Sequence, residues 1–151
     1  MAECVFDASF IGYANGPLDE SVAAQKRAPR ELLATIEKVI AGRDRLRCNP
    51  KLIEEYDKLT KVRHNDLIVL FIALLDSEQT TKLKSNALRR QDNARAEECG
   101  WPQHDRYVLA AAVCGTDVTI HVTEPRLGRC SRKVWRIFRI RVNFVPYQAA
   151  A

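Results

Sequence analysis

The sequence has little of what marks disulfide-rich, zinc-binding or membrane-spanning proteins. Its five cysteines are odd in number, widely spaced and without a Cys-x-x-Cys pair. This pattern argues against a disulfide framework and a zinc site, and for a reducing compartment. No apolar run approaches the about 18 residues of a membrane helix, and Glu3 stands where a signal peptide would have its basic and apolar regions. We therefore expect a cytoplasmic protein that does not enter a membrane.

Two common catalytic patterns are also missing. The sequence contains neither a glycine-rich phosphate loop nor a recognisable Ser-His-Asp arrangement, and it has only three histidines. Internal repeats and low-complexity tracts are absent as well. The sequence therefore gives no support to a P-loop nucleotide-binding protein, a serine hydrolase or a repeat architecture.

The composition is that of an ordinary globular protein with an uneven positive charge. The 151 residues are 46% apolar and 28% charged, which predicts a single domain over residues 1–151. The formal net charge is +5, from 24 basic and 19 acidic residues. Residues 126–141 hold many basic side chains and no acidic one. Such a cluster favours a polyanionic partner, although a solvated positive face explains the charge equally well.

Apolar periodicity predicts strands and helices that alternate along the chain. Strands are predicted at residues 4–6, 45–48 and 118–123, with helices at residues 30–41 and 50–62, over most of residues 64–87, and from residue 104. This order predicts an α/β protein whose mainly parallel sheet has helices on both sides.

Four segments carry more particular expectations. Residues 134–145 alternate between apolar and polar side chains, which predicts an edge strand with one wet face. The apolar block at residues 67–75 predicts either a helix buried on most sides or a contact with another subunit. Residues 82–98 could be a solvated helix or a loop, and residues 21–30 a weakly helical surface segment.

Acidic residues stand at the predicted ends of strands and the start of a helix. Asp7 follows the first strand, Asp105 opens a helix, and Glu124 follows a later strand. In an open α/β sheet these positions share one edge, so the carboxylates would repel each other unless a cation neutralised them. Mg²⁺ and Mn²⁺ prefer carboxylate oxygens and activate water against phosphodiesters. The basic cluster would then hold the backbone of the substrate.

Three motifs in order resemble those of the PIN-domain ribonucleases, a family that includes the VapC-like toxins. They are VFDAS at residues 5–9, PKLIEEY at residues 50–56, and DRYVLAAA at residues 105–112 with VTE at residues 122–124. The resemblance covers nearly the whole chain. It implies a three-layer α/β/α fold and an endoribonuclease that requires Mg²⁺ or Mn²⁺, in which a water activated by the metal attacks phosphorus.

The resemblance assigns roles to individual residues. It places the catalytic, metal-binding acids at Asp7, Glu55 and Asp105, with Glu54 as the alternate to Glu55. The small polar residue after the first acid corresponds to Ser9.

The last motif supplies supporting groups and implies partners. Thr123 would help to orient the site, and Glu124 would be a further metal ligand, one place before the usual acidic position, which holds Pro125 here. An antitoxin that inserts Arg or Lys among the carboxylates, and a homodimer, are implied as partners besides RNA. The residues expected to contact RNA are Arg126, Arg129, Arg132, Lys133 and Arg136.

Other functions remain as alternatives. The main one is a catalytically degenerate PIN-like domain that binds RNA or protein without cutting. Phosphoaspartyl transfer at Asp7 is disfavoured because Ser9 stands where the haloacid-dehalogenase pattern needs a second Asp. The pair His104-Asp105 is similar to that of HD phosphohydrolases, but those proteins are all-helical and the predicted strands speak against them.

Overall fold

A parallel β-sheet runs through the part of the chain that the structure describes. This computed structural model describes residues 1–18 and 27–147, so that most of the predicted surface segment at residues 21–30 lies outside the described residues. The strand order is β3-β2-β1-β4-β5, and all neighbouring strands are parallel. The strands are β1 (Ala2–Phe6), β2 (Asp44–Cys48), β3 (Thr81–Lys82), β4 (Val118–Val122) and β5 (Arg141–Phe144).

Helices flank the sheet. They are α1 (Ala8–Ala14), α2 (Arg30–Ile40), α3 (Pro50–Leu59), α4 (Asp66–Leu75), α5 (Arg90–Cys99), α6 (Arg106–Ala112), α7 (Pro125–Gly128) and α8 (Ser131–Phe138). α1 packs against α2 and α3, and α2 against α4. α6 crosses β1, β2 and β4, while α5 packs against α8. The predicted α/β class with a mainly parallel sheet is confirmed, in a form consistent with the three-layer α/β/α arrangement of a PIN-like fold.

The direction in which successive strands are added to the sheet reverses beside the central strand β1. From β1 the chain builds outward through β2 and β3, and then returns to the other side of β1 with β4 and β5. The helices that follow β1 and β4 therefore diverge and leave a crevice at the carboxyl ends of these two strands. In open parallel sheets this is where ligands bind, and Asp7 and Glu124 follow the strands at this point.

The central strands are buried because helices cover both faces of the sheet. Cys4, Val5 and Phe6 of β1 are fully buried, as are Ile120 and Val122 of β4. Side chains of both strands belong to the same apolar core as those of α1 to α4 and of α6. The ends of β1 and β4 are consequently held in fixed positions relative to each other.

The prediction of a strand at residues 134–145 is wrong in its first half. Residues 131–138 form α8, and only Arg141–Phe144 form β5, which does lie at the sheet edge as expected. Cys130 and Val134 are buried four residues apart, which is helical spacing. The apparent alternation from residue 138 onward runs across the end of a helix, a connection and a strand.

The region from residue 64 to residue 87 is also less helical than expected. α4 ends at Leu75, and residues 81–82 form the edge strand β3 beside β2. α4 buries Ile68 and Phe71 but leaves Val69 and Leu70 exposed, so the apolar block is buried on one side only. In the segment 82–98, for which a helix and a loop were the alternatives, residues 83–89 form a loop after β3 and residues 90–98 belong to α5. No helix in the described ranges is long and apolar enough to cross a lipid bilayer.

Candidate functional site

A cavity of about 450 Å³ opens at the carboxyl ends of β1 and β4. Four acidic residues from separate parts of the chain line it, together with Ser9, Tyr13 and Tyr107. The acidic residues are Asp7, Glu55, Asp105 and Glu124. The fold therefore brings all three predicted catalytic acids and the predicted further ligand to one place.

Asp7 lies between the end of β1 and the start of α1. Its Oδ1 accepts a hydrogen bond from the backbone N–H of Ala8 at 2.9 Å, and its Oδ2 accepts one from the Ser9 hydroxyl at 2.8 Å. The residue is only 5% exposed. Burial, together with the charges of Asp105 and Glu124, raises the pKa of Asp7 to about 6, against the lowering effect of its two hydrogen bonds. The two hydrogen bonds thus fix the orientation of the Asp7 carboxylate. Its ionisation costs free energy, mainly because the residue is buried.

Ser9 and Thr123 link the two central strands across the crevice. Their hydroxyl oxygens are 3.0 Å apart, and Ser9 also donates to Asp7. Thr123 follows β4 directly and is buried. The supporting positions predicted for both residues therefore form a chain of hydrogen bonds that fixes the orientation of the Asp7 carboxylate.

Glu55 and its neighbour Glu54 differ in where they point. The side chain of Glu55 is 29% exposed and lines the cavity, whereas that of Glu54 is 65% exposed and is not part of the lining. Lys58 contacts both carboxylates at 3.3 Å. Of the two glutamates that the sequence offered, Glu55 is the one placed among the other acids.

Two buried residues fix α3 relative to the strands. The Tyr56 hydroxyl donates a hydrogen bond to the carbonyl of Phe6, the last residue of β1. The Asn49 side chain accepts from the N–H of Leu52 at 3.1 Å, as expected for a helix cap, and donates to the carbonyl of Tyr107 at 2.8 Å. α3 is thereby tied both to β1 and to α6, which sets Glu55 opposite Asp7 and Asp105.

Asp105 ends a 3₁₀ turn and immediately precedes α6. The indole N–H of Trp101 donates to the Asp105 carbonyl at 2.8 Å, which fixes the backbone there. Asp105 Oδ2 is buried and accepts no hydrogen bond. His104 Nε2 lies 3.5 Å from this oxygen, a distance too long for a good hydrogen bond. An unpartnered buried carboxylate oxygen is costly.

Nearby charges oppose one another at Asp105. Burial and the Glu124 carboxylate raise the pKa of Asp105, while His104, Arg126 and Lys51 lower it. Burial is the largest of these effects. These basic side chains are therefore close enough to interact electrostatically with the acids. The cavity is acidic at its centre and basic at its margin.

Glu124 reaches the cavity despite its shifted position in the sequence. Pro125, at the position where the resemblance implies an acid, begins α7. Glu124 lines the cavity and raises the pKa of both Asp7 and Asp105. A carboxylate one residue earlier thus occupies the end of β4.

The donor chemistry suits a hard divalent cation. The available ligands are carboxylate oxygens, one of which is buried without a partner, and Mg²⁺ and Mn²⁺ prefer such oxygens. Within residues 1–18 and 27–147, however, no three acidic, His or Cys side chains are grouped closely enough to form a ready metal cluster. The carboxylates repel one another, and Glu55 is drawn toward Lys58. Binding a cation would require the carboxylates to move together.

Sequence reasoning missed Tyr107 and Tyr13. Burial raises the pKa of the Tyr107 phenol, and the carboxylates of Asp7, Asp105 and Glu55 raise it further, so this hydroxyl lies among three of the acids. Tyr13 also lines the cavity and stacks on Tyr147, with ring centroids 4.0 Å apart. The sequence could have indicated Tyr107, because it is the second residue after Asp105. No local sequence feature indicated that Tyr13 lines the cavity.

The predicted RNA-contacting residues lie on α7, α8 and the connection between them. All five side chains are exposed, and no acidic residue in the described part of the chain forms an ion pair with them. The structure therefore leaves their charge available at the surface. They are Arg126, Arg129, Arg132, Lys133 and Arg136.

Neither a protein-family model, nor a curated protein, nor a solved structure matched the chain.

Proposed function

We propose that this chain is a PIN-like endoribonuclease that depends on Mg²⁺ or Mn²⁺. The observation that carries the proposal is the convergence of Asp7, Glu55, Asp105 and Glu124 on one cavity at the carboxyl ends of the central strands. Structural roles do not explain this convergence, because the Asp105 and Glu124 carboxylates raise the pKa of Asp7, the Glu124 carboxylate raises the pKa of Asp105, and one Asp105 oxygen has no hydrogen-bond partner. A bound cation would replace the repulsion among the carboxylates with attraction between each carboxylate and the metal.

Asp7, Asp105 and Glu124 would hold the cation, and Glu55 would join them by turning away from Lys58. Exposed ion pairs such as Glu55–Lys58 contribute little to stability, so this rotation costs little. Ser9 and Thr123 would keep the Asp7 carboxylate oriented, since they form its hydrogen-bond chain. When bound, the metal would supply activation of a water and neutralisation of charge at the scissile phosphate.

The margin of the cavity would bind the phosphodiester backbone. Arg126 and Lys51 are close enough to influence Asp105 electrostatically, and Lys51 Nζ also lies 5.0 Å from the centre of the Tyr107 ring. Phosphates that approach the acidic centre would therefore meet positive charge first. This arrangement favours a polyanionic substrate over a small neutral one.

The test is a cleavage assay on single-stranded and structured RNA with Mn²⁺, Mg²⁺ or EDTA. We expect metal-dependent cleavage by the wild type and a loss of about 100-fold or more in Asp7→Asn and Asp105→Asn. Asp57→Asn, an exposed acid on α3, is the matched control and should retain activity. Cleavage in EDTA, or full activity of both cavity variants, would refute the site.

A second measurement does not depend on turnover. Mn²⁺ should raise the thermal unfolding midpoint of the wild type and of Asp57→Asn, because a ligand that binds only the folded state stabilises it. The increase should be absent in Asp105→Asn. RNA binding without metal-dependent cleavage would instead support the alternative, a PIN-like domain that only binds. An antitoxin and a homodimer stay predictions from the resemblance.

A further inference from the structure

An exposed tryptophan lies in the middle of the basic surface. Trp135 on α8 is 42% exposed, whereas Trp101, the other tryptophan, is 2% exposed. The guanidinium carbons of Arg139 and Arg141 each lie 5.4 Å from the centre of the Trp135 ring. At these distances the two cations flank the ring as in a cation–π contact, and part of the ring stays open to solvent.

Arg132 and Trp135 lie three residues apart on one side of α8. Arg139 follows four residues after Trp135 and caps the C-terminal end of the helix. Arg141 is the first residue of β5, where it also pairs with Asp117. The result is an exposed row in which an aromatic ring stands between positive charges.

The row leads away from the cavity. α7 begins at the carboxyl end of β4, and α8 runs back so that β5 can start beside Thr119. Gly128 permits this path, because a Cβ there would lie 2.6 Å from the Phe144 ring. The distance from Glu124 back to the level of Thr119, measured along the strand direction, is about 16 Å at ~3.3 Å per strand residue. A chain of about five nucleotides at ~3.4 Å each would cover it.

We propose that Trp135, with Arg139 and Arg141, is a stacking subsite for a single-stranded part of an RNA substrate whose scissile phosphate lies at the carboxylate cavity. The inference rests on the proposed function for the identity of the ligand. One base stacks on the exposed part of the indole, and the guanidiniums turn to the flanking phosphates. Paired RNA cannot use this subsite, because its base faces are hidden in the stack.

The first test measures binding in EDTA, where cleavage is blocked. The probes are a single-stranded oligoadenylate of about 12 nucleotides, within the range bound by single-strand modules, and a blunt-ended RNA duplex of similar charge. Trp135→Ala should weaken binding of the single strand about tenfold, which is the loss of about 1.4 kcal/mol of stacking, and leave duplex binding unchanged. Trp135→Phe, which keeps a flat ring, should lose less.

Fluorescence reports the contact directly. Because Trp101 is buried and Trp135 is exposed, acrylamide should quench the emission of Trp135. Binding of the single strand should quench the same emission, and Trp135→Phe should remove it. The matched charge controls are Arg139→Gln, which should weaken binding, and Arg43→Gln, an exposed arginine in the connection between α2 and β2 that should not. Failure of wild type to bind the oligoadenylate, or equal losses on single strand and duplex, would overturn the subsite.

The outcome separates this inference from the proposed function. Stacking with no metal-dependent cleavage would keep the subsite and reject the nuclease. If the wild type cleaves, Trp135→Ala should raise KM for the long oligoadenylate with kcat unchanged, and a dinucleotide, too short to span both places, should show no effect. Cleavage with equal KM for wild type and Trp135→Ala on the long oligoadenylate would reject the subsite and keep the nuclease.

Discussion

The acidic cavity and the basic surface of α7 and α8 use charge in opposite ways. The acids are drawn inward at the ends of β1 and β4, where Asp7 is buried and one Asp105 oxygen has no partner. The basic side chains point outward on a helical layer and make no ion pairs with acids in the described residues, apart from Arg141 with Asp117. One region stores electrostatic strain, and the other presents charge to solvent.

This difference determines what each region can do. The pKa values of buried carboxylates respond strongly to neighbouring charges, as those of Asp7 and Asp105 do. Exposed cations are screened by salt and contribute attraction rather than geometry. If the two regions serve one substrate, the surface gathers it and the cavity acts on it. Changes in the cavity should alter stability and rate, and changes on the surface should alter salt dependence.

The largest expected effect is on the stability of the cavity. Burial raises the pKa of Asp7 to about 6, above its ordinary value of 3.8, so the folded state binds the carboxyl proton more tightly than the unfolded chain does. The stability that this proton contributes is therefore present below about pH 4 and lost as the pH rises to about 6. Asp7→Asn, which keeps a capping side chain, should become more stable than the wild type above pH 6, by about 2 to 3 kcal/mol relative to the difference at pH 4.

Urea unfolding in EDTA at pH 4 to 8 measures this difference. Asp57→Asn is the control, since this exposed acid should stay within about 0.5 kcal/mol of the wild type. A constant difference between Asp7→Asn and wild type over the whole pH range would show that the Asp7 carboxylate is not strained. The contrast between the two charged regions would then fail.

The second prediction separates the two adjacent glutamates of α3. Glu55→Gln should lower metal-dependent cleavage about tenfold or more, because its side chain lines the cavity. Glu54→Gln makes the same chemical change on an exposed side chain and should stay within about twofold of wild type. Steady-state rates with saturating Mn²⁺ decide between them. Equal effects, or a larger one at Glu54, would place the metal elsewhere.

The third prediction concerns the basic surface. Arg132→Gln should reduce the slope of log affinity against log salt concentration by about 0.7 for single-stranded RNA, the value for one lost phosphate contact. Its effect on the unfolding free energy should be small, since Arg132 is exposed. Filter binding at several salt concentrations measures the slope, with Arg43→Gln as the control. An unchanged slope would mean that Arg132 lies outside the RNA path.

The smallest expected effect concerns the ion pair between Lys58 and Glu55. Lys58→Met removes the cation that holds Glu55 and should strengthen Mn²⁺ binding by roughly twofold, the size of an exposed pair. Lys61→Met removes the same charge from an exposed position just beyond α3 and controls for net charge. Isothermal titration with Mn²⁺ provides the comparison. Weaker binding in Lys58→Met alone would mean that Lys58 supports the site.

Local signals predicted much of the fold. Asn49 caps α3 and Pro50 begins it as expected, because a capping side chain and a proline at the first helical position act within one turn. The error at residues 134–145 arose because alternation and helical spacing coincide in a short apolar segment. β3 was missed because two residues carry no periodicity, and only their pairing with β2 defines a strand.

By itself, the sequence determined that Asp7, Asp105 and Glu124 stand at the ends of elements, and that basic residues gather after the last of them. Tertiary structure alone decided that Tyr107 lies among the acids and that Trp135 stands on an exposed helix. It also placed Glu55, the glutamate that the resemblance had assigned, in the lining of the cavity. The reason is the range of the interactions. Caps and periodicity act over a few residues, whereas the direction of a side chain depends on buried contacts such as Tyr56 with Phe6, fifty residues apart in the chain.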